Sequence, residues 1–166
     1  MFLSRRRLVL IGTATVIVGV IVLLPLILTI TLPDLSAIDI IIKNIELEEI
    51  SEDNIATLNV VFNIKNPTGQ ALTTSKIDYE LYANGESIGE YTKSYIDIPV
   101  NGRPQLLSNT DTNISSVIEA PVLDEKIRSD LRNNNQSLQN IEWTINGDAI
   151  IESGFSSAPK IFNATW

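Results

Sequence analysis

The segment Asn54–Asn66, Asn-Ile-Ala-Thr-Leu-Asn-Val-Val-Phe-Asn-Ile-Lys-Asn, puts Ala56, Leu58, Val60, Phe62 and Ile64 on even positions, with Thr57, Asn59, Asn63 and Lys65 between them. Side chains of a strand alternate between its two faces, so the segment reads as a strand with one buried and one wet face. The next segment repeats the pattern, Ile77, Tyr79, Leu81 and Ala83 against Lys76, Asp78, Glu80 and Asn84, and closes on Asn84-Gly85. Asn-Gly suits a type I′ turn, whose two central residues need positive φ, and predicts a hairpin to a strand beginning near Ser87 and Ile88.

Working outward, Ile38 to Ile50 changes apolar parity from Ile38, Ile40 and Ile42 to Ile45 and Leu47, which predicts a bulge near Lys43-Asn44 in a long first strand. Ile96, Ile98 and Val100 alternate before Asn101-Gly102, with Pro99 suggesting an edge strand or a strand end, and a chain reversal is expected there. Trp143, Ile145, Ala149 and Ile151 alternate around Asn146-Gly147, where the glycine marks either a bulge or a close backbone approach. Ile161, Phe162 and Trp166 are expected to complete the core, with a contact surface as the alternative. One segment departs from the period of two. Pro121–Arg132 spaces Leu123, Ile127 and Leu131 by four, with Asp124 and Glu125 early and Arg128 and Arg132 late, which predicts a short helix leaving through Asn133–Asn135. The fold class is all-β: an immunoglobulin- or fibronectin-III-like β-sandwich of about seven strands with one short helix.

Ahead of this domain, Arg5, Arg6 and Arg7 precede Leu8 to Leu32, 25 residues without a charge. About 20 helical residues cross a hydrocarbon core of about 30 Å, so a transmembrane helix is expected, kinked at Pro25. The arginines place the N-terminus in the cytoplasm and the domain outside the cell. The predicted organisation is a basic stub over 1–7, a signal anchor over 8–32, a linker over 33–36 and the sandwich over 37–166. A cleaved signal peptide is the alternative, but its apolar region is usually about 7–15 residues long.

The chain of 166 residues is 44% apolar, enough for a packed core, and contains neither cysteine nor histidine. That excludes disulfides, thiol nucleophiles, imidazole bases and metal sites with sulfur or nitrogen ligands. Residues 34–166 carry nine Lys+Arg against twenty Asp+Glu, a net −11, which disfavours nucleic acid and anionic lipid. The densest acidic cluster, Glu46, Glu48, Glu49, Glu52 and Asp53, lacks the spacing of a calcium loop and reads as a solvated strand end. No carboxylate pair is singled out for glycoside hydrolysis. Ser75-Lys76 and Lys93-Ser94 are strand neighbours that point to opposite faces, which is wrong for a dyad. No catalytic, cofactor or metal site is expected. Asn113, Asn135 and Asn163 stand in glycosylation acceptor patterns, whereas Pro67 excludes Asn66.

Several pieces recur in an order more specific than periodicity: Asn63-Ile64-Lys65-Asn66-Pro67; then Leu72, Ser75, Ile77, Asp78, Tyr79, Leu81, Asn84-Gly85 and Ile88-Gly89; then Ile96-Asp97-Ile98-Pro99-Val100 with Gly102; then the helix expected after Pro121; then Trp143-Thr144-Ile145-Asn146-Gly147. Over roughly residues 37–155 this resembles the late embryogenesis abundant (LEA) group 2 family, the water-stress and hypersensitive-response domain. Thr68 departs from it, since a further asparagine is common there. The resemblance implies a β-sandwich with one helix, no catalytic residues and a role in desiccation or other stress. Asn66-Pro67 also has a local account: proline holds the preceding residue extended, and the amide can bond nearby backbone. Two functions are therefore expected. One is a membrane-anchored, non-enzymatic protector at the cell surface. The other is an accessory subunit of a membrane complex, its span packing on a protein partner through Gly12 and Gly19.

Overall fold

The computed structural model describes residues 5–31, 33–53, 55–121, 129, 137–154 and 156–166. They fall into two compact units, residues 1–32 and 33–166.

In the first unit, α1 (Arg5–Thr31) is helical over 27 residues with Pro25 inside it. Its side chains are described without a break from Val9 to Pro25 and are nearly all exposed. That stretch rises about 26 Å, short of a hydrocarbon core of about 30 Å. Among the described residues no helix is long and apolar enough to cross a membrane. The span expected over 8–32 therefore stands on the sequence and not on the described helix.

The second unit is mostly strand, arranged in two antiparallel sheets. The first sheet contains β1 (Asp39–Ile50), β2 (Ile55–Asn66) and β6 (Thr110–Pro121), in the order β1-β2-β6. The second contains β3 (Leu72–Ala83), β4 (Glu86–Ser94), β7 (Trp143–Glu152) and β8 (Ser157–Thr165), in the order β4-β3-β7-β8. The two-residue strand β5 (Gln105–Leu106) pairs with the start of β3 and raises the described strands from the expected seven to eight. The inward faces form one core in which Ala56, Leu58, Val60, Phe62 and Ile64 of β2 meet Ile77, Leu81, Trp143, Ile145 and Ile151. A fully buried Ile, Leu or Phe contributes about 1.5–3 kcal/mol, so this alternation is the main source of stability in a chain without disulfides.

The local readings fare unevenly. The predicted bulge in β1 is present, with the register shifting between Ile42 and Asn44 so that Ile42 and Ile45 both face inward. The Asn84-Gly85 hairpin closes with Ala83 opposite Glu86 and positive φ at both turn residues (52° and 82°). Gly147 is a close approach and not a bulge. β7 keeps register through it, and a Cβ there would lie 2.4 Å from the Asp78 carbonyl oxygen.

Two expectations are corrected. Residues 96–100 are not a strand: the chain turns twice, through Ile98 N–H to Tyr95 O (3.0 Å) and Gly102 N–H to Pro99 O (2.8 Å). The alternation of Ile96, Ile98 and Val100 does not bury them; the Arg103 guanidinium takes the carbonyls of Ile96 and Ile98 (3.1 and 2.9 Å) in place of a neighbouring strand. Ile161 does not complete the core; it lies on the outer face of β8, 81% exposed, while Phe162 turns inward. The linker expected over 33–36 belongs to the folded unit. Asp34 caps the turn Leu35–Ala37, and Lys160 donates to the Ser36 carbonyl (2.7 Å). The helix predicted over Pro121–Arg132 lies outside the described residues, apart from Pro121, which ends β6, and Ser129.

Candidate functional site

The outer face of the second sheet carries a concavity of about 410 Å³. Register builds it. Thr92, Asp78 and Asp148 stand in one row across β4, β3 and β7, and Glu90, Glu80 and Asn146 in the next. Directly opposed residues of antiparallel strands share a face, so Asp78, Glu80, Glu90 and Asp148 all reach the same solvent. Tyr91 and the backbone at Gly147 form the floor.

The two carboxylates on β3 are held by donors. Thr92 Oγ1 donates to Asp78 (2.6 Å) and Lys76 Nζ lies 2.5 Å from its other oxygen. Partial burial pushes the Asp78 carboxyl up, but the lysine and threonine bonds outweigh it and hold the group below the usual carboxylate range. Ser87 Oγ and Tyr82 OH donate to the two oxygens of Glu80 and lower it as well. Both groups stay ionised at neutral pH, which suits water and cations and not a general acid. Beneath the groove the Tyr91 hydroxyl is buried and has no hydrogen-bond partner among the described residues, and burial raises its pKa.

The sheets are tied by two polar contacts in the core. Tyr79 OH donates to Ser116 Oγ (2.9 Å), and burial is the leading reason that the Tyr79 phenol is pushed up to about 12. Asn66, wholly buried at the end of β2, donates from Nδ2 to the carbonyls of Gln70 and Leu106 (2.8 Å each). Its Oδ1 accepts from the Thr68 N–H (3.0 Å) and hydroxyl (2.7 Å). Every polar atom of this amide is used, which assigns Asn66 a structural role.

The residues named from sequence are scattered. Asn113 is exposed on β6 with its Oδ1 accepting from Asn63 (3.0 Å), and Asn163 is exposed on β8 and bonded to Asn146. Asn135 lies outside the described residues. Glu46, Glu48, Glu49, Glu52 and Asp53 are exposed at the β1–β2 end, and no group of acids among the described residues has metal-binding geometry. Ser75 is buried while Lys76 faces outward onto Asp78. Sequence reasoning missed the groove, because its four carboxylates come together only through the registers of three strands. It missed the Arg103 tie for the same reason.

This geometry defines a two-sheet β-domain with an acidic, hydrated outer groove and polar ties between its sheets. No protein-family model matches the chain, and no curated protein matches it. Solved structures do. A solution structure of an Arabidopsis thaliana protein is 14% identical, over 76% of this chain and 78% of that one, with a TM-score of 0.51. A structural-genomics crystallographic target is 16% identical, over 78% and 86%, with a TM-score of 0.50. At these identities the likeness establishes the fold. A solution structure described as a late embryogenesis abundant protein is 15% identical, over 100% and 92%, with a TM-score of 0.42, too low to establish a common fold.

Proposed function

We propose that the chain is a membrane-anchored, non-enzymatic LEA group 2-like domain that protects cell-surface components during desiccation or related stress. The observation that carries this reading is the ordered motif set. Asn66-Pro67 closes the β2 end, Asn84-Gly85 turns the hairpin, and Gly147 lets β7 pass against β3, so residues quoted for the family resemblance perform local tasks in the sandwich. The orders β1-β2-β6 and β3-β7-β8 match strands ABE and CFG of the immunoglobulin arrangement, which supports that kind of sandwich. The apolar run 8–32 after three arginines supports the anchor and the outward placement of the domain. The acidic outer groove, with carboxylates held ionised, retains water and repels neighbouring molecules as solvent is lost.

The anchor is tested by washing membranes with carbonate, which should leave the full chain in the pellet. The protective role is tested by drying a strain deleted for the gene; survival equal to the parent counts against it. Extraction in mild detergent separates protector from accessory subunit. A lone monomer supports the protector, and co-migration with a stoichiometric partner supports the subunit.

A further inference from the structure

All of the following lie at one end of the sandwich, here the proximal end, where the chain arrives at Pro33: the start of β1 and β3, the ends of β2, β4 and β7, and the short strand β5. The apolar run expected to lie in the membrane ends at Leu32, directly before Pro33 in the sequence. Eight large apolar side chains are exposed among the described residues of this unit, and four of them, Ile96, Ile98, Val100 and Leu107, belong to the two connections that flank β5 at this end. The other four are spread over β1, β2, β6 and β8, one on each. Isolated exposed apolar residues need no explanation, but a group on one pair of connections does.

We propose that this loop pair is a second membrane contact, seating Ile96, Ile98, Val100 and Leu107 in the interfacial layer of the bilayer that holds α1. The inference rests on the anchored reading above. Three observations favour lipid as the occupant. First, the carbonyls of the loop's apolar residues Ile96, Ile98 and Val100 are satisfied without water, although Asp97 and Asn101 stand exposed between them. Arg103 takes the carbonyls of Ile96 and Ile98, Gln105 Nε2 donates to Val100 O (3.2 Å), and Arg103 is itself fixed by Glu152. Unpaired carbonyls are what make irregular backbone costly at a membrane. Second, Tyr95 flanks the loop with Lys93 over its ring at 5.7 Å, an amphipathic aromatic and a cation suited to the headgroup level. Third, charge is sorted along the unit. All six described cations, Lys43, Lys65, Lys76, Lys93, Arg103 and Lys160, lie in the proximal half beside Asp34, Asp39, Asp97, Asp111 and Glu152, a mixed charge, whereas Glu48, Glu49, Glu52, Asp53, Glu86 and Glu119 gather distally without a described cation. The chain arrives beside β8, whose neighbours in order are β7 and β3, with β5 beyond. The arrival of the chain and the loop thus stand roughly 14 Å apart at about 4.8 Å per strand.

The absence of cysteine makes the test direct. Val100→Cys at the loop and Glu86→Cys at the distal hairpin, each in the full chain, are labelled with a fluorophore and reconstituted into phosphatidylcholine vesicles. Flotation reports the anchor, and quenching by lipid-borne nitroxide reports the loop. Several-fold stronger quenching at Val100 than at Glu86, lost in the Ile96→Ser/Ile98→Ser background while flotation persists, is the expected result. Vesicles that float with both labels equally aqueous overturn the loop contact and leave the anchor standing. A chain that washes off the vesicles removes both. Protection of Val100 in native membranes but not in reconstituted vesicles assigns the loop to a protein partner and overturns the proposal.

Discussion

Replacing Asn66 by alanine should show how far one amide holds the two sheets in register. The side chain is fully buried, and its removal leaves the Leu106 carbonyl without the buried donor that reaches it from 2.8 Å. An orphaned buried acceptor costs about 1–3 kcal/mol. The Thr68 N–H and the Gln70 carbonyl are only partly buried and can recover water, so they add less. The expected loss is about 2–4 kcal/mol, against total stabilities of about 5–15 kcal/mol for domains of this kind. With a urea slope of about 1–3 kcal/mol/M, the midpoint should fall by roughly 1–3 M. Trp143, wholly buried, provides the fluorescence signal for the full chain in detergent. Asn66→Asp sharpens the test, because it keeps the shape but turns two donors into acceptors facing the carbonyls of Gln70 and Leu106. That environment raises the folded-state pKa of the new carboxyl above its unfolded value of about 3.9. The penalty is then smallest below that value, where both states are protonated, and grows as pH rises through the folded pKa. An alanine variant within about 0.5 kcal/mol of the parent, or an aspartate variant whose deficit does not widen from acid to neutral pH, would refute the structural role.

Gly147→Ala should lower the melting temperature through a clash worth about 1–3 kcal/mol, since its Cβ meets backbone at 2.4 Å, whereas Gly69→Ala, with open space around it, should be nearly neutral. Tyr79→Phe leaves Ser116 Oγ buried without its donor and should cost about 1–2 kcal/mol by chemical denaturation, part of it recovered in Tyr79→Phe/Ser116→Ala. Because the folded Tyr79 phenol is raised from 10.0 to about 12, its contribution is intact below pH 10 and is lost as pH rises toward 12, and alkaline melts of the parent should decline over that window more steeply than those of Tyr79→Phe. Arg103→Lys keeps the charge but loses the fork, and amide exchange at Ile98 and Gly102 should accelerate while the β2 and β7 amides stay protected.

The strands were legible because burial is written into them with a period of two, and the 54–66 segment alone identifies a half-buried sheet. The β1 bulge and the Asn84-Gly85 turn were legible for the same reason: each is a local rule broken or obeyed within a few residues. Residues 96–100 misled the same logic. Ile96, Ile98 and Val100 alternate as a strand would, but a strand needs an edge to pair with, and a guanidinium seven residues from Ile96 occupies the carbonyls instead. Ile161 misled it because apolar identity does not say which face an edge strand presents. The groove was illegible for a different reason. Asp78, Glu80, Glu90 and Asp148 are ordinary wet-face residues in sequence, and only the antiparallel registers of β3 with β4 and β7 set them side by side.

Net charge was the least informative quantity, and the fold explains why. A balance of −11 over residues 34–166 argues for repulsion from anionic lipid if the charge is treated as one body. The strands of 12 residues run about 40 Å, however, so the distal acids lie about five screening lengths from the proximal end at physiological salt. A surface meeting the proximal end responds to Lys65, Lys93 and Lys160 alongside Asp39 and Asp111, charges of both signs at close quarters. Glu49, Glu52 and Asp53 remain in bulk solvent, where they oppose association with a second molecule. The same chain can therefore tolerate a bilayer at one end and discourage crowding at the other, and moving a single lysine from the proximal to the distal end should weaken both properties while leaving the net charge unchanged.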